Sequence, residues 1–303
     1  MGDVILLDGG MGQELIHRSK NKPHPLWSAK VLLDEPHLVE EVHYEFIMAG
    51  AKIITLNNYS ITPERLERDG YPDMFATLQT KAIDVAKRAR DRVKNSSDIK
   101  IAGCLPPLYA SYKPESAPSL EDCIHSYERI AEAQIQEVDV IICETMSSAK
   151  ELHASGYVAS KSGKCSWVSG SVSDHDGSLL RSGESLEGGV KVLSELDIDA
   201  ALLNCSFPET ITEGLKILSN LRIPYGGYAN RFNSIDKLDP GGTVDVLKAR
   251  DDIEEIDYAR IVSEWVEDGA TIVGGCCEMG PSYISAIKEL LEELGHNIVS
   301  EFH

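Results

Sequence analysis

The feature that most constrains this chain is its alternation of short apolar runs with longer amphipathic, charge-bearing stretches. The apolar runs are Val4–Leu7, Lys52–Leu56, Lys100–Gly103, Val138–Cys143, Ser166–Gly170, Ala200–Leu203, Pro224–Tyr228 and Thr271–Val273. They read as buried parallel strands. Helix-like stretches lie between them: Glu35–Ala49, Pro72–Lys94, Leu120–Glu137, Ser147–Ser162, Glu184–Leu196, Thr210–Leu221 and Ile256–Asp268, with Pro281–Leu294 closing the series. About eight β-then-α units in 303 residues is the rhythm of an α/β protein built as a single-domain (β/α)₈ barrel, a TIM barrel. An open doubly wound sheet is the competing architecture. It usually places G-x-G-x-x-G after its first strand, and Asp8-Gly9-Gly10-Met11-Gly12 does not fit that pattern.

In a closed barrel the C-terminal strand ends share one face. The unusual polar residues fall at those ends. Asp8 follows the first run, Asn57, Asn58 and Tyr59 the second, and Glu144 the fourth. Asn204 and Cys205 follow the sixth, Asn230 the seventh, and Cys276 and Cys277 the eighth. Adjacent cysteines rarely bond to each other, but two thiolates that turn toward one point are good ligands for Zn²⁺. Cys205 supplies a third. Three sulfur ligands leave a fourth position open, as in a catalytic rather than a structural zinc site. Gly274 and Gly275 let the backbone come close to whatever binds there.

The formal charge of −20 argues against nucleic acid and anionic membranes as partners and mildly favours a cationic ligand. Met1–Asp8 lacks the basic start and long apolar core of a signal peptide, and no apolar run approaches the ~20 residues that span a bilayer. Seven cysteines without a framework spacing are read as reduced thiols in a cytoplasm. Cys104, Cys123, Cys143 and Cys165 are read as packing residues. His17, His24, His37 and His43 are expected on helix or loop surfaces, residues 250–255 on a solvated face, and Glu301-Phe302-His303 as a frayed end.

These residues resemble the homocysteine S-methyltransferase family. The matching stretches are Leu7-Asp8-Gly9-Gly10-Met11-Gly12, Pro25-Leu26-Trp27-Ser28-Ala29-Lys30, Cys143-Glu144-Thr145, Asp176-Gly177 with Ser182-Gly183-Glu184, Asn204-Cys205-Ser206 and Gly274-Gly275-Cys276-Cys277. The resemblance implies one homocysteine-binding (β/α)₈ barrel domain over 1–303, with zinc on Cys205, Cys276 and Cys277. It further implies methyl transfer from an onium donor to the sulfur of homocysteine, giving methionine. The Pro-Leu-Trp-Ser-Ala-Lys stretch points to S-methylmethionine; betaine, dimethylsulfoniopropionate and other onium compounds are the alternatives. The chain departs from the family at Cys104–Leu108, Asn57-Asn58-Tyr59 and Glu278–Ser282, and the donor-side loops are the ones affected.

On this reading Asp8 and Glu144 take the substrate ammonium, and the turn at Gly9 and Gly10 takes its carboxylate. Trp27 and Tyr59 form an aromatic wall for the cationic donor. Asn57, Asn204 and Asn230 complete the substrate-binding set. Two rival readings are a zinc hydrolase, with water in the open position, and a non-catalytic zinc or thiol protein. Oligomeric state is left open.

Overall fold

The computed structural model describes residues 2–235, 237–243 and 246–301; Phe302 and His303 of the expected frayed end lie outside that set. Eight strands follow one another around a barrel. They are β1 (Asp3–Leu6), β2 (Ile53–Thr55), β3 (Lys100–Leu105), β4 (Val140–Met146), β5 (Cys165–Gly170), β6 (Ala200–Asn204), β7 (Tyr225–Ala229) and β8 (Ile272–Gly275). Every neighbouring pair from β2 to β8 is parallel, and β8 pairs in parallel with β1. Closure is made at the top of β1, where Leu7 bridges Ile53 and the Asp8 amide donates to the Ile53 carbonyl at 3.0 Å.

A ninth strand, β9 (Asn297–Val299), pairs in parallel with Asp3–Ile5 of β1. It was not expected: three residues are too few to show a period. Three short helices were also missed, α1 (Met11–Arg18), α2 (Ser28–Asp34) and α4 (Pro63–Arg68). Each is under the length at which amphipathic periodicity becomes distinct.

The remaining helices are α3 (Pro36–Ala49), α5 (Phe75–Asp91), α6 (Leu120–Glu132), α7 (Ala149–Lys161), α8 (Leu186–Ser194), α9 (Pro208–Leu218), α10 (Glu255–Glu267) and α11 (Pro281–Glu293). Their ends follow local chemistry. Ser119 caps α6 by accepting from the Asp122 amide, Ser148 caps α7 through Glu151, and Pro36 and Pro281 open α3 and α11, where a missing N–H costs nothing. Gly50 ends α3 at φ 118°, a conformation that suits glycine.

Strand period sorts the core into two layers. Leu6, Ile54, Ile101, Ile141, Val168, Ala201 and Leu203 point outward against the helices. Ile5, Leu7, Ile53, Ala102, Val140, Ile142, Trp167, Ala200, Leu202, Tyr228 and Ile272 fill the barrel interior. Continuing the inward parity upward brings Cys104, Glu144, Ser169 and Asn204 to the top of that interior, so the strand pattern itself aims these polar side chains at one place.

His43 departs from the expected surface position. It lies on the inner face of α3 with 0% exposure, both ring nitrogens lack a hydrogen-bond partner, and burial pushes its pKa down to about 3. It packs as a neutral ring. The 250–255 segment is solvated as expected except for Ile253, which is buried.

Candidate active site

The three cysteines converge above the barrel. Cys205 Sγ lies 2.8 Å from Cys276 Sγ and 3.9 Å from Cys277 Sγ, and all three sulfurs fall within 4.8 Å of one another. Among the described residues this is the one cluster of potential metal ligands. Tyr112 adds a phenol donating to Cys205 Sγ at 3.0 Å. Hydrogen bonds from Cys276, Cys277 and Tyr112 hold the Cys205 thiol well below its ordinary pKa, while the bonds to Cys205 push Cys276 and Cys277 up.

Arg181 secures this corner from below. Its Nη2 donates to the Cys205 carbonyl and to Asp174 Oδ1, both at 2.8 Å, and its Nε to Ser171 Oγ at 2.7 Å. The guanidinium also stacks 4.6 Å from the Tyr112 ring centroid. Neither Tyr112 nor Arg181 was picked out in the sequence. Both act across long sequence separations, and no local spacing signals them.

The backbone around the cavity is strained. Trp27, Tyr112, Thr145 and Cys205, which line it, have φ of 49°, 63°, 62° and 54°, and Glu278 beside Cys277 has φ 64°. Non-glycine residues in this region cost energy and cluster at functional sites.

Two carboxylates line the same cavity. Asp8 is 6% exposed, and its two oxygens accept from the Thr55 amide at 2.8 Å and the Thr55 hydroxyl at 3.3 Å. It makes no cap to α1, whose N-cap is Gly10. Glu144 accepts from the Cys104 thiol and the Tyr228 hydroxyl, both at 3.0 Å. Cys104, expected only to pack, thus orients Glu144. Desolvation raises Asp8 to about 8 and Glu144 to about 7, and the Glu144 charge adds to the Asp8 shift. Two buried carboxyls held near neutrality, with few donors facing them, form a site ready for an incoming cation.

Gly9, Gly10, Trp27, Asn57, Tyr59 and Asn204 all reach the same cavity. A Cβ on Gly10 would lie 2.6 Å from the Cys276 carbonyl oxygen, and one on Gly12 would lie 2.2 Å from the Trp27 ring. Both glycines are needed for close approach. Trp27 meets Tyr59 edge to face at 5.9 Å. Asn57 Nδ2 donates to the Ser28 carbonyl at 3.2 Å. Asn204 accepts from the Thr145 amide and Ser169 hydroxyl, each at 2.8 Å, and so fixes the register shift of β4 beside Glu144. Asn58 turns away into a buried network with Gln79 and Gln134. The cavity does not reach Asn230, which is fully buried and accepts from the Phe232 amide.

A barrel with a thiol cluster and paired carboxyls at its C-terminal mouth is the architecture of a thiol-handling (β/α)₈ enzyme. Residues 5–291 match the family described as homocysteine S-methyltransferase, and the chain belongs to that family. Homocysteine S-methyltransferase 3 of Zea mays is 29% identical, with 97% of this chain and 92% of that protein covered. Selenocysteine Se-methyltransferase of Brassica oleracea var. italica is 28% identical over 96% of this chain and 89% of its own. Among solved structures, the metallated form of the homocysteine methyltransferase MmuM from Escherichia coli superimposes with a TM-score of 0.79. It is 26% identical, with 95% of this chain and 96% of that chain covered. The protein is therefore a methyltransferase acting on small molecules. Among the described residues no helix is long and apolar enough to cross a membrane.

Proposed function

We propose that the protein transfers a methyl group from S-methylmethionine to L-homocysteine, with zinc held by Cys205, Cys276 and Cys277 and residues 1–303 acting as one homocysteine-binding barrel domain. The observation that carries this reading is the convergence of the three sulfurs in a cavity that Asp8 and Glu144 also line.

The donor set fits zinc. Sulfurs about 2.3 Å from a tetrahedral zinc stand about 3.8 Å apart. The Cys205–Cys277 separation of 3.9 Å matches, and the Cys205–Cys276 separation of 2.8 Å must open. Three thiols without histidine or carboxylate suit a soft ion. Zinc bound here supplies a position at which a thiol loses its proton at neutral pH and keeps its nucleophilicity. Three thiolates make a poor Lewis acid for activating water, which disfavours the hydrolase alternative.

The chain's own residues do the rest. Asp8 and Glu144 lose their protons when the homocysteine ammonium arrives and then pair with it. The Gly9-Gly10 turn lies against the Cys276-Cys277 segment; the Gly10 amide already donates to the Met279 carbonyl at 2.8 Å, so the Gly9 amide is the one left to meet the amino acid carboxylate. Trp27 and Tyr59 face the sulfonium, which has no N–H or O–H to donate and is best met by aromatic rings. The methyl carbon leaves one sulfur as its bond to the other forms. The donor departs as a neutral thioether, and no methyl-enzyme is formed. With S-methylmethionine both products are methionine. Asn57 and Asn204 orient the walls of this cavity. All seven cysteines are free, which supports a reducing, cytoplasmic location.

The donor is tested by incubating zinc-loaded protein and homocysteine with S-methylmethionine, betaine or dimethylsulfoniopropionate and measuring kcat/KM for methionine formation. S-methylmethionine is expected to lead. A clear lead by another onium compound would move the donor assignment while leaving the thiol chemistry in place.

A further inference from the structure

Arg65 is a buried cation without an anion. It sits in the first turn of α4 and is 8% exposed. Its Nε and Nη2 donate to the Pro107 carbonyl at 3.2 and 2.9 Å, and Nη2 reaches Ser111 Oγ at 3.4 Å. The guanidinium lies 5.3 Å from the Tyr59 ring centroid, and the Tyr59 hydroxyl shares a 2.9 Å hydrogen bond with Ser111. Thr62 Oγ1 accepts from the Arg65 amide and donates to the Leu108 carbonyl. The side chain is therefore fixed on several sides.

No carboxylate is hydrogen-bonded to it among the described residues. Asp69, the acid that acts on it through space, has both oxygens engaged by Arg68 Nε and Nη2 at 2.8 and 2.7 Å. Among the described residues Arg65 makes no ion pair, and its Nη1 makes no hydrogen bond. Desolvation lowers its pKa, as it does for a cation short of compensating charge. Yet Arg65 lines the same cavity as Cys205, Cys276 and Cys277. A buried guanidinium is costly unless a hydrogen-bonding anion meets it, and its planar fork suits a carboxylate.

We infer that Arg65 is the carboxylate-binding residue of the methyl-donor subsite, so that the enzyme selects zwitterionic donors whose sulfonium faces the thiolates while the carboxylate meets the free Nη1 edge. This rests on the methyl-transfer reading above. Homocysteine also has a carboxylate. Arg65 packs on Tyr59, whose ring meets Trp27 edge to face; these are the two aromatic residues assigned to the sulfonium, and the donor is the better match.

The test compares acid and amide forms of each substrate. In wild type, S-methylmethionine is expected to exceed S-methylmethioninamide in kcat/KM by about 100-fold, the loss typical of stranding one partner of a buried charged hydrogen bond. In Arg65→Gln the two donors converge, Arg65→Lys restores part of the difference, and the ratio between homocysteine and its amide does not move. An unchanged donor ratio overturns the assignment, and so does a collapse of the homocysteine ratio, which would place the carboxylate on the acceptor. A readout free of turnover separates this idea from the methyl-transfer reading. Calorimetry should show 3-(methylthio)propionate binding wild type more tightly than 3-(methylthio)propanamide, with that preference lost in Arg65→Gln. Equal binding of the two by wild type would reject the subsite even if methyl transfer is found, and a clear preference would support it even if no donor turns over.

Discussion

The Tyr112 phenol donates to the Cys205 sulfur at 3.0 Å across 93 residues of sequence, and Arg181 stacks on the same ring. The contact steadies a thiolate that Cys276 and Cys277 also hydrogen-bond. Partners just outside a metal's ligands commonly set affinity by 10–100-fold. Tyr112→Phe is expected to weaken zinc binding by about 10-fold or more while leaving the fold intact, as read by chelator competition. Unchanged affinity would show that the phenol does not support the ligand set.

The two buried carboxyls make the free protein sensitive to pH. Asp8 is raised from 3.8 to about 8 and Glu144 from 4.5 to about 7, chiefly by desolvation. The folded chain thus holds protons that the unfolded chain has released, and stability falls as pH rises from about 4 through about 8. Asp8→Asn and Glu144→Gln are each expected to flatten that fall in denaturation curves of the metal-free protein. The same variants should raise the KM for homocysteine by 10-fold or more, about the effect of one lost charged hydrogen bond. If stability in the variants still falls as steeply over this range, the burial argument is wrong.

Much of this was legible in the sequence because strand period and strand order do simple geometric work. Eight apolar runs placed Cys205, Cys276, Cys277, Asp8 and Glu144 at strand ends, and barrel closure brought them together. Inward parity along β3 and β4 also puts Cys104 beside Glu144, and that signal was present but unused. Tyr112, Arg181 and Arg65 were not legible. Each reaches the site from a loop or short helix whose path is set by tertiary packing. Asn230 differs: it follows a strand as a site residue does, yet it does not line the cavity, and its Oδ1 accepts from the Phe232 amide.

Gly12 sets the position of Trp27, because a Cβ there would meet the indole ring at 2.2 Å. Gly12→Ala must therefore move Trp27 within the cavity. The expected result is a several-fold rise in the KM for the donor, in keeping with a cation–π contact of about 0.5–2 kcal/mol, with little change in the KM for homocysteine. Equal effects on both substrates would argue against an aromatic wall on the donor side.

Arg181 and Asp174 form a largely shielded pair, with side chains 7% and 10% exposed. Arg181→Met leaves Asp174 without its cation and the Cys205 carbonyl with only the Ser171 hydroxyl at 3.4 Å. A loss of about 3 kcal/mol in urea denaturation is expected, as for a buried pair broken on one side. Zinc affinity should fall with it, since Cys205 is held at φ 54° by this corner. Wild-type stability in the variant would mean that the Arg181 contacts are incidental.

Cys205, Cys276 and Cys277 are proposed together to hold the metal at which a homocysteine sulfur accepts a methyl group. The most direct measurement is a single-turnover assay with methyl-labelled S-methylmethionine and homocysteine, run on metal-loaded wild type and on Cys276→Ala. Complete conversion of the limiting labelled donor is expected with metal-loaded wild type, and neither bound metal nor labelled product in the variant. Labelled product from Cys276→Ala at the wild-type rate, or none from fully metal-loaded wild type, would contradict the proposal.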